Sequence, residues 1–322
     1  MHKQTWIGAL VVVALAGTAP AAAQSNGDGP RTSWGDPDLT GVWDFRTLTP
    51  IERPDGLGDK AVLTAEEAAA FEQQALQQWD ADRRDGSDLE YGQGSDIERA
   101  YNDFWWDYGS SIDEDRRTSL IVDPPDGKIP WTPEGKARPG TFDLAFSGII
   151  TAGPEDRALS ERCILGFNSG PPMAPSAYNN NVQVFQTEDT VVLFAEMNHN
   201  ARVVPLDGRG RLDDGIRLWT GDARGHWEGD TLVVTTTNFL RETNFQRGAT
   251  TRNLTLTERF TRVDPDTLRY DVTVDDPAVW TRPWTYSVPM RNNPEPVYEY
   301  ACHEGNYGLE NILAGAVAEG SH

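Results

Sequence analysis

Three polar side chains interrupt otherwise apolar rows in this 322-residue chain. His199 falls in the row Val191, Leu193, Ala195, Met197, His199, Ala201, Val203. Glu258 shares a row with Leu254, Leu256 and Phe260, and Arg282 shares one with Trp280, Trp284, Tyr286, Val288 and Met290. Alternate residues of a β-strand share a face, so each row would carry one polar group into an apolar layer. An unpaired buried charge costs on the order of several kcal/mol, comparable to the whole stability margin of a domain. The inexpensive solution is for the three to meet one another or a ligand. An imidazole, a carboxylate and a guanidinium in one cavity are the parts of an acid–base site. His199 would act as general base or acid, Glu258 would orient it, and Arg282 would stabilise developing negative charge. Plainer arrangements stand beside this one: a satisfied core histidine, a structural Glu258–Arg282 ion pair, or Arg282 stacked between Trp280 and Trp284.

Other residues belong to the same expectation. His303, in the segment EYACHEGN at 299–306, is a reserve acid. Tyr101 and Trp105 lie in a stretch with five aromatics in eight positions (101–108), and together with Trp284 they are expected to enclose a substrate. Arg202, on the other face of the His199 strand, is a further ligand-binding candidate. Gly221 to Trp227 is a third candidate cluster, with a turn carrying a surface ion pair as the plainer alternative. The histidines His199, His226 and His303 have no metal-ligand spacing, and no metal is expected. No G-x-S-x-G, H-E-x-x-H, Walker A or strand-linked G-x-G-x-x-G occurs. The chemistry expected is therefore free of a redox cofactor, with none assigned.

The elements that must position these residues are mostly strands. Apolar alternation marks strands over 182–185, 191–197, 231–239, 254–262, 267–274, 280–290 and 297–302, with turn residues between them. Residues 191–203 read as one continuous strand. The sequence predicts an antiparallel meander over 118–319 that closes into a barrel or packs as a sandwich. Residues 38–117 form an N-terminal helical and aromatic-rich segment packing on it. Within that segment Thr64, Ala65, Glu66 and Glu67 form a capping box, followed by helix formers to Arg84.

Residues 1–23 read as a secretory signal: Lys3, a short apolar stretch, and Ala21 to Ala23 as the cleavage site. The apolar stretch is too short to span a membrane. Residues 24–37 are a flexible lead-in. The cysteines, Cys163 and Cys302, are the chain's only two. In an oxidising compartment they would pair, with two separate thiols as the alternative. A net charge of −22 argues against a nucleic-acid partner and against a basic membrane-docking face. Gly and Pro together approach a sixth of the chain, favouring turn-rich β structure over a bundle.

Two resemblances follow. Gly41-x-Trp43 before an antiparallel meander resembles the opening of lipocalin-like (calycin) barrels. RTSLIVDPPDG at 117–127, GPPM at 170–173, ARVVPLDGR at 201–209, GHWEGDTLVV at 225–234 and EYACHEGN at 299–306 resemble a widespread group of exported bacterial proteins. That second resemblance implies one evolutionary unit and export, and no reaction. The expectation is a periplasmic or secreted, mainly β protein with a lipocalin-like barrel. It would be a lyase, isomerase or hydrolase acting on a small, partly apolar molecule. The alternatives are a non-catalytic carrier with the same pocket and a structural envelope protein. Oligomeric state is left open.

Overall fold

A computed structural model describes residues 29–80, 106–138, 153–240, 245 and 250–318. The expected signal segment, Tyr101 and Trp105 lie outside them. The protein is mainly β. Ten strands form one antiparallel sheet: β1 (Gly41–Asp44), β2 (Ile121–Asp123), β3 (Asn181–Gln186), β4 (Thr190–Ala195), β5 (Ala201–Pro205), β6 (Asp222–Glu228), β7 (Thr231–Thr237), β8 (Thr255–Asp264), β9 (Thr267–Asp275) and β10 (Trp284–Asn293). The order is β5-β4-β3-β1-β10-β9-β8-β7-β6, and β2 pairs β10 beside β1. Alternation explains most of these strands. Leu268, Tyr270, Val272 and Val274 of β9, and Trp284, Tyr286, Val288 and Met290 of β10, all point into one core.

The closed barrel is met only in part. No hydrogen-bonded ladder joins β5 to β6, so the sheet stays open there. The two edges still come close. A Cβ on Gly225 of β6 would lie 2.6 Å from the Leu206 side chain and 2.9 Å from that of Val204 of β5, so the missing side chain at 225 lets these neighbours pack against the β6 backbone. Two strand readings also change. The stretch from Gly221 to Trp227, with a turn as its plainer reading, contains most of β6, paired along its length with β7. Residues 297–302, read as the last strand, pair with no strand. They follow Pro294 and Pro296 and form a strap leading to the final helix.

The N-terminal segment is woven into the sheet. β1 lies between β3 and β10, with Val42 opposite Gln183 on one side and Asn293 on the other. Trp43 is fully buried and its indole N–H donates to the Leu39 carbonyl at 2.9 Å. Helix α1 (Ala65–Trp79) begins at the expected capping box: the Thr64 hydroxyl accepts from the Glu67 N–H, and the Glu67 carboxylate accepts from the Thr64 N–H. Its apolar face packs with Leu48, Leu63 and Ile112 in a second, smaller core. Two more helices are short, α2 (Pro133–Ala137) and α3 (Tyr307–Ala318). No helix among the described residues is long and apolar enough to cross a membrane.

Candidate functional site

Among the described residues, Arg202 and Glu258 form a charged pair inside the sheet. The two guanidinium Nη atoms donate to the two carboxylate oxygens at 2.5 and 2.8 Å. Glu258 is fully buried and the Arg202 side chain is 9% exposed. A forked pair of this kind satisfies both partners in a way that a lysine could not. The Tyr270 hydroxyl donates to Glu258 Oε1 at 2.6 Å. Burial penalises the Arg202 cation, yet the charge and hydrogen bonds of Glu258 hold it above its ordinary range. Burial first, and the Glu258 charge second, push the Tyr270 and Tyr286 hydroxyls well above theirs. Both tyrosines therefore stay neutral and serve as hydrogen-bond donors.

This cluster grips a loop. The Met173 N–H donates to the Tyr270 hydroxyl oxygen at 3.1 Å, and the Tyr286 hydroxyl donates to the Met173 carbonyl at 2.7 Å. Both polar groups of one backbone unit are thus held from the sheet. Gly170, Pro171 and Pro172, just before Met173, line a cavity of about 1010 Å³. Its walls come from two stretches, 160–179 and 299–312, together with Ile51, Trp106 and Phe245. Tyr178 meets Phe167 edge-on at 5.3 Å and Trp106 at 6.1 Å. Phe245 stacks on Trp284 and Tyr286, which continues the aromatic packing from cavity wall to sheet core.

The second wall is the strap, and three contacts fasten it. Cys163 and Cys302 form the expected disulfide, joining positions 139 residues apart. Asn306 donates to the Glu161 carbonyl at 3.2 Å. His199 Nε2 lies 3.0 Å from both the Tyr300 nitrogen and the Tyr298 carbonyl oxygen, accepting from the Tyr300 N–H in one tautomer and donating to the Tyr298 carbonyl in the other.

The expected His199–Glu258–Arg282 trio is not assembled; the three occupy separate surroundings. His199 sits on a 3₁₀ turn, Met197–His199, which breaks the single strand expected over 191–203. Asn198 and His199 adopt left-handed φ of 57° and 50°, and the chain reverses. The reversal changes which alternate residues face inward. Val191 pairs Val204 and Leu193 pairs Arg202 across the resulting hairpin, so Arg202 takes an inward place and Val203 is 58% exposed. His199 is half-buried and stacks on Phe194. Arg282 lies before β10, because the strand starts only after Pro283. It is exposed and paired with Asp123 at 2.5 Å. His303 is exposed and does not line the cavity, although its neighbours Cys302 and Glu304 do. Trp284 is fully buried and backs Phe245 without lining the cavity itself. His226 pairs with Glu228 on the surface. No group of potential metal ligands occurs among the described residues.

Sequence reading passed over Tyr270 and Tyr286, whose rows it counted as apolar. The signal was available, since a buried tyrosine hydroxyl needs a partner as surely as a histidine does. Phe167 and Tyr178 carried no such signal, because they lie outside the strands, where alternation does not apply. The chain matches no family model, no curated protein and no solved structure.

Proposed function

We propose that the protein binds a small, partly apolar molecule in the cavity between the 160–179 loop and the C-terminal strap, acting as an exported binding or carrier protein. The observation that carries this reading is the cavity itself. At about 1010 Å³ it is the size of a small-molecule site, and its walls are mostly apolar and aromatic with a few polar groups. The Arg202–Glu258–Tyr270–Tyr286 cluster supports it as a positioning device that fixes Met173 and, through it, the cavity wall. An acid–base enzyme has less support. Glu258 is fully buried and engaged by Arg202 and Tyr270, His199 is occupied by the strap backbone, and Arg282 is on the surface. Export rests on the leader read in 1–23 and on the disulfide, which persists in oxidising compartments.

The test uses N-phenyl-1-naphthylamine, a neutral apolar dye whose fluorescence rises on leaving water. Saturable one-site binding is expected. Ala301→Trp and Ile312→Trp fill the cavity from partly exposed positions, so folding is kept, and each should weaken the dye at least tenfold. Binding that is non-saturable, or unchanged in both variants with native thermal unfolding, would overturn the proposal.

A further inference from the structure

We infer that the ligand of this cavity carries a positive charge beside its apolar body, as an aryl or alkyl ammonium does. The inference rests on the binding reading above and adds the chemical class of the ligand. Two independent features point to it. The first is the aromatic wall. Tyr178 is set between Phe167 and Trp106 at interplanar angles of 82° and 59°. Rings turned against one another present π faces and edges in several directions, and π faces attract cations through their quadrupole. Trp106 is itself stacked on Tyr108 at 5.7 Å, which fixes its orientation. The second feature is charge. Three carboxylates line the cavity, Glu161, Glu299 and Glu304, and among the described lining residues there is no Lys, Arg or His. Glu161 is spoken for by Arg157 and by the Ala158 N–H. Glu299 and Glu304 have no salt bridge or hydrogen bond among the described residues. Both lie on the strap, on either side of the disulfide-bonded Cys302, so the cross-link that fastens the strap also holds them at the cavity.

An anionic ligand would meet these carboxylates as like charges, and the chain's net charge of −22 would oppose its approach. A neutral ligand would gain at most a hydrogen bond from them. A cation with an apolar body would use both the rings and the carboxylates. Exposed charge pairs are individually weak, so the expected preference is modest, about threefold per carboxylate.

The experiment displaces bound N-phenyl-1-naphthylamine with three competitors that share one ring system: 1-naphthylmethylammonium, 1-naphthylmethanol and 1-naphthoate. The ammonium should bind about tenfold tighter than the alcohol, and the naphthoate should be weakest. In the Glu299→Gln, Glu304→Gln double variant the ratio of ammonium to alcohol affinity should fall close to one. In 1 M NaCl the wild-type ratio should fall as well, because screening acts on exposed charges. An ammonium no tighter than the alcohol, a naphthoate that binds best, or a preference that survives the double substitution would overturn the inference while leaving the cavity reading intact. Failure of the neutral dye to bind would instead overturn the cavity reading, and the inference with it.

Discussion

Glu258→Leu should be among the most destabilising single substitutions in the chain, while Arg202→Met added to it should restore much of the loss. The buried guanidinium has only 9% of its side chain exposed and takes its forked contact from Glu258. Removing one partner of such a pair strands a charge, which costs about 3–5 kcal/mol. The Tyr270 hydroxyl also loses its acceptor, which adds about 1–3 kcal/mol. The single variant would therefore lose roughly 4–8 kcal/mol, much of the 5–15 kcal/mol typical of a folded domain. Replacing both charges with apolar groups of similar volume removes the stranded charge, leaving the tyrosine penalty of about 1–3 kcal/mol. The assay is urea unfolding of wild type, both single variants and the double variant. The midpoint shift, at constant slope, gives each ΔΔG, and the cycle gives the coupling. A coupling of about 3 kcal/mol or more is expected. The dye affinity of the double variant should still be reduced, because the support of Met173 through Tyr270 is altered. Additive single losses, or a Glu258→Leu loss below about 1 kcal/mol, would refute the buried pair as the organiser of the interior.

Two further outcomes follow from the same contacts. The Tyr270 and Tyr286 hydroxyls are pushed well above their ordinary value of 10, chiefly by burial. A group whose folded pKa is raised contributes stability that is present below the unfolded pKa and lost as pH rises above it. Stability should thus fall above pH 10 by up to about 1.4 kcal/mol per pH unit per tyrosine. Tyr286→Phe should make that slope shallower, read from urea midpoints between pH 9 and 11; an unchanged slope would count against a neutral buried Tyr286. Reducing the Cys163–Cys302 bond, or replacing both cysteines with serine, should lower stability by up to about 5 kcal/mol on the loop-entropy estimate for a 139-residue separation. The same change should weaken dye binding at least tenfold by loosening the strap, and retained binding in the reduced protein would show that the strap stays docked without it.

Strand positions were largely legible in the sequence, because they depend on local alternation. β3, β4, β7, β8, β9 and β10 all fall within a few residues of their expected bounds. The capping box of α1 was legible for the same reason, since its two hydrogen bonds join residues three apart. What failed were the continuations. An unbroken 191–203 strand would have pointed His199 inward, yet Asn198 and His199 turn the chain within two residues. A side-chain period of two has no tolerance for such a turn, so everything beyond it exchanged faces. Arg282 failed differently: β10 starts only after Pro283, so Arg282 lies outside the ladder while the residues beyond it keep their expected faces. The strand at 297–302 could not pair with β10, its predecessor in the chain, because β10 already has β9 along one side and β1 and β2 along the other.

Glu258 on an apolar face had to find a counter-charge, and it did. The counter-charge is Arg202, which the face exchange delivered to the interior, and not Arg282, which the proline kept outside. That substitution changes what the cluster can do. A carboxylate facing a histidine could exchange protons with a ligand. A carboxylate forked to an arginine and capped by a tyrosine has no free lone pair directed at an open space and is suited to holding structure in place. Its hold on Met173, through Tyr270, runs to the cavity wall one residue away. The polar interior and the cavity are therefore one construction, in which the buried charges fix a loop and the loop, with the strap, forms the cavity walls.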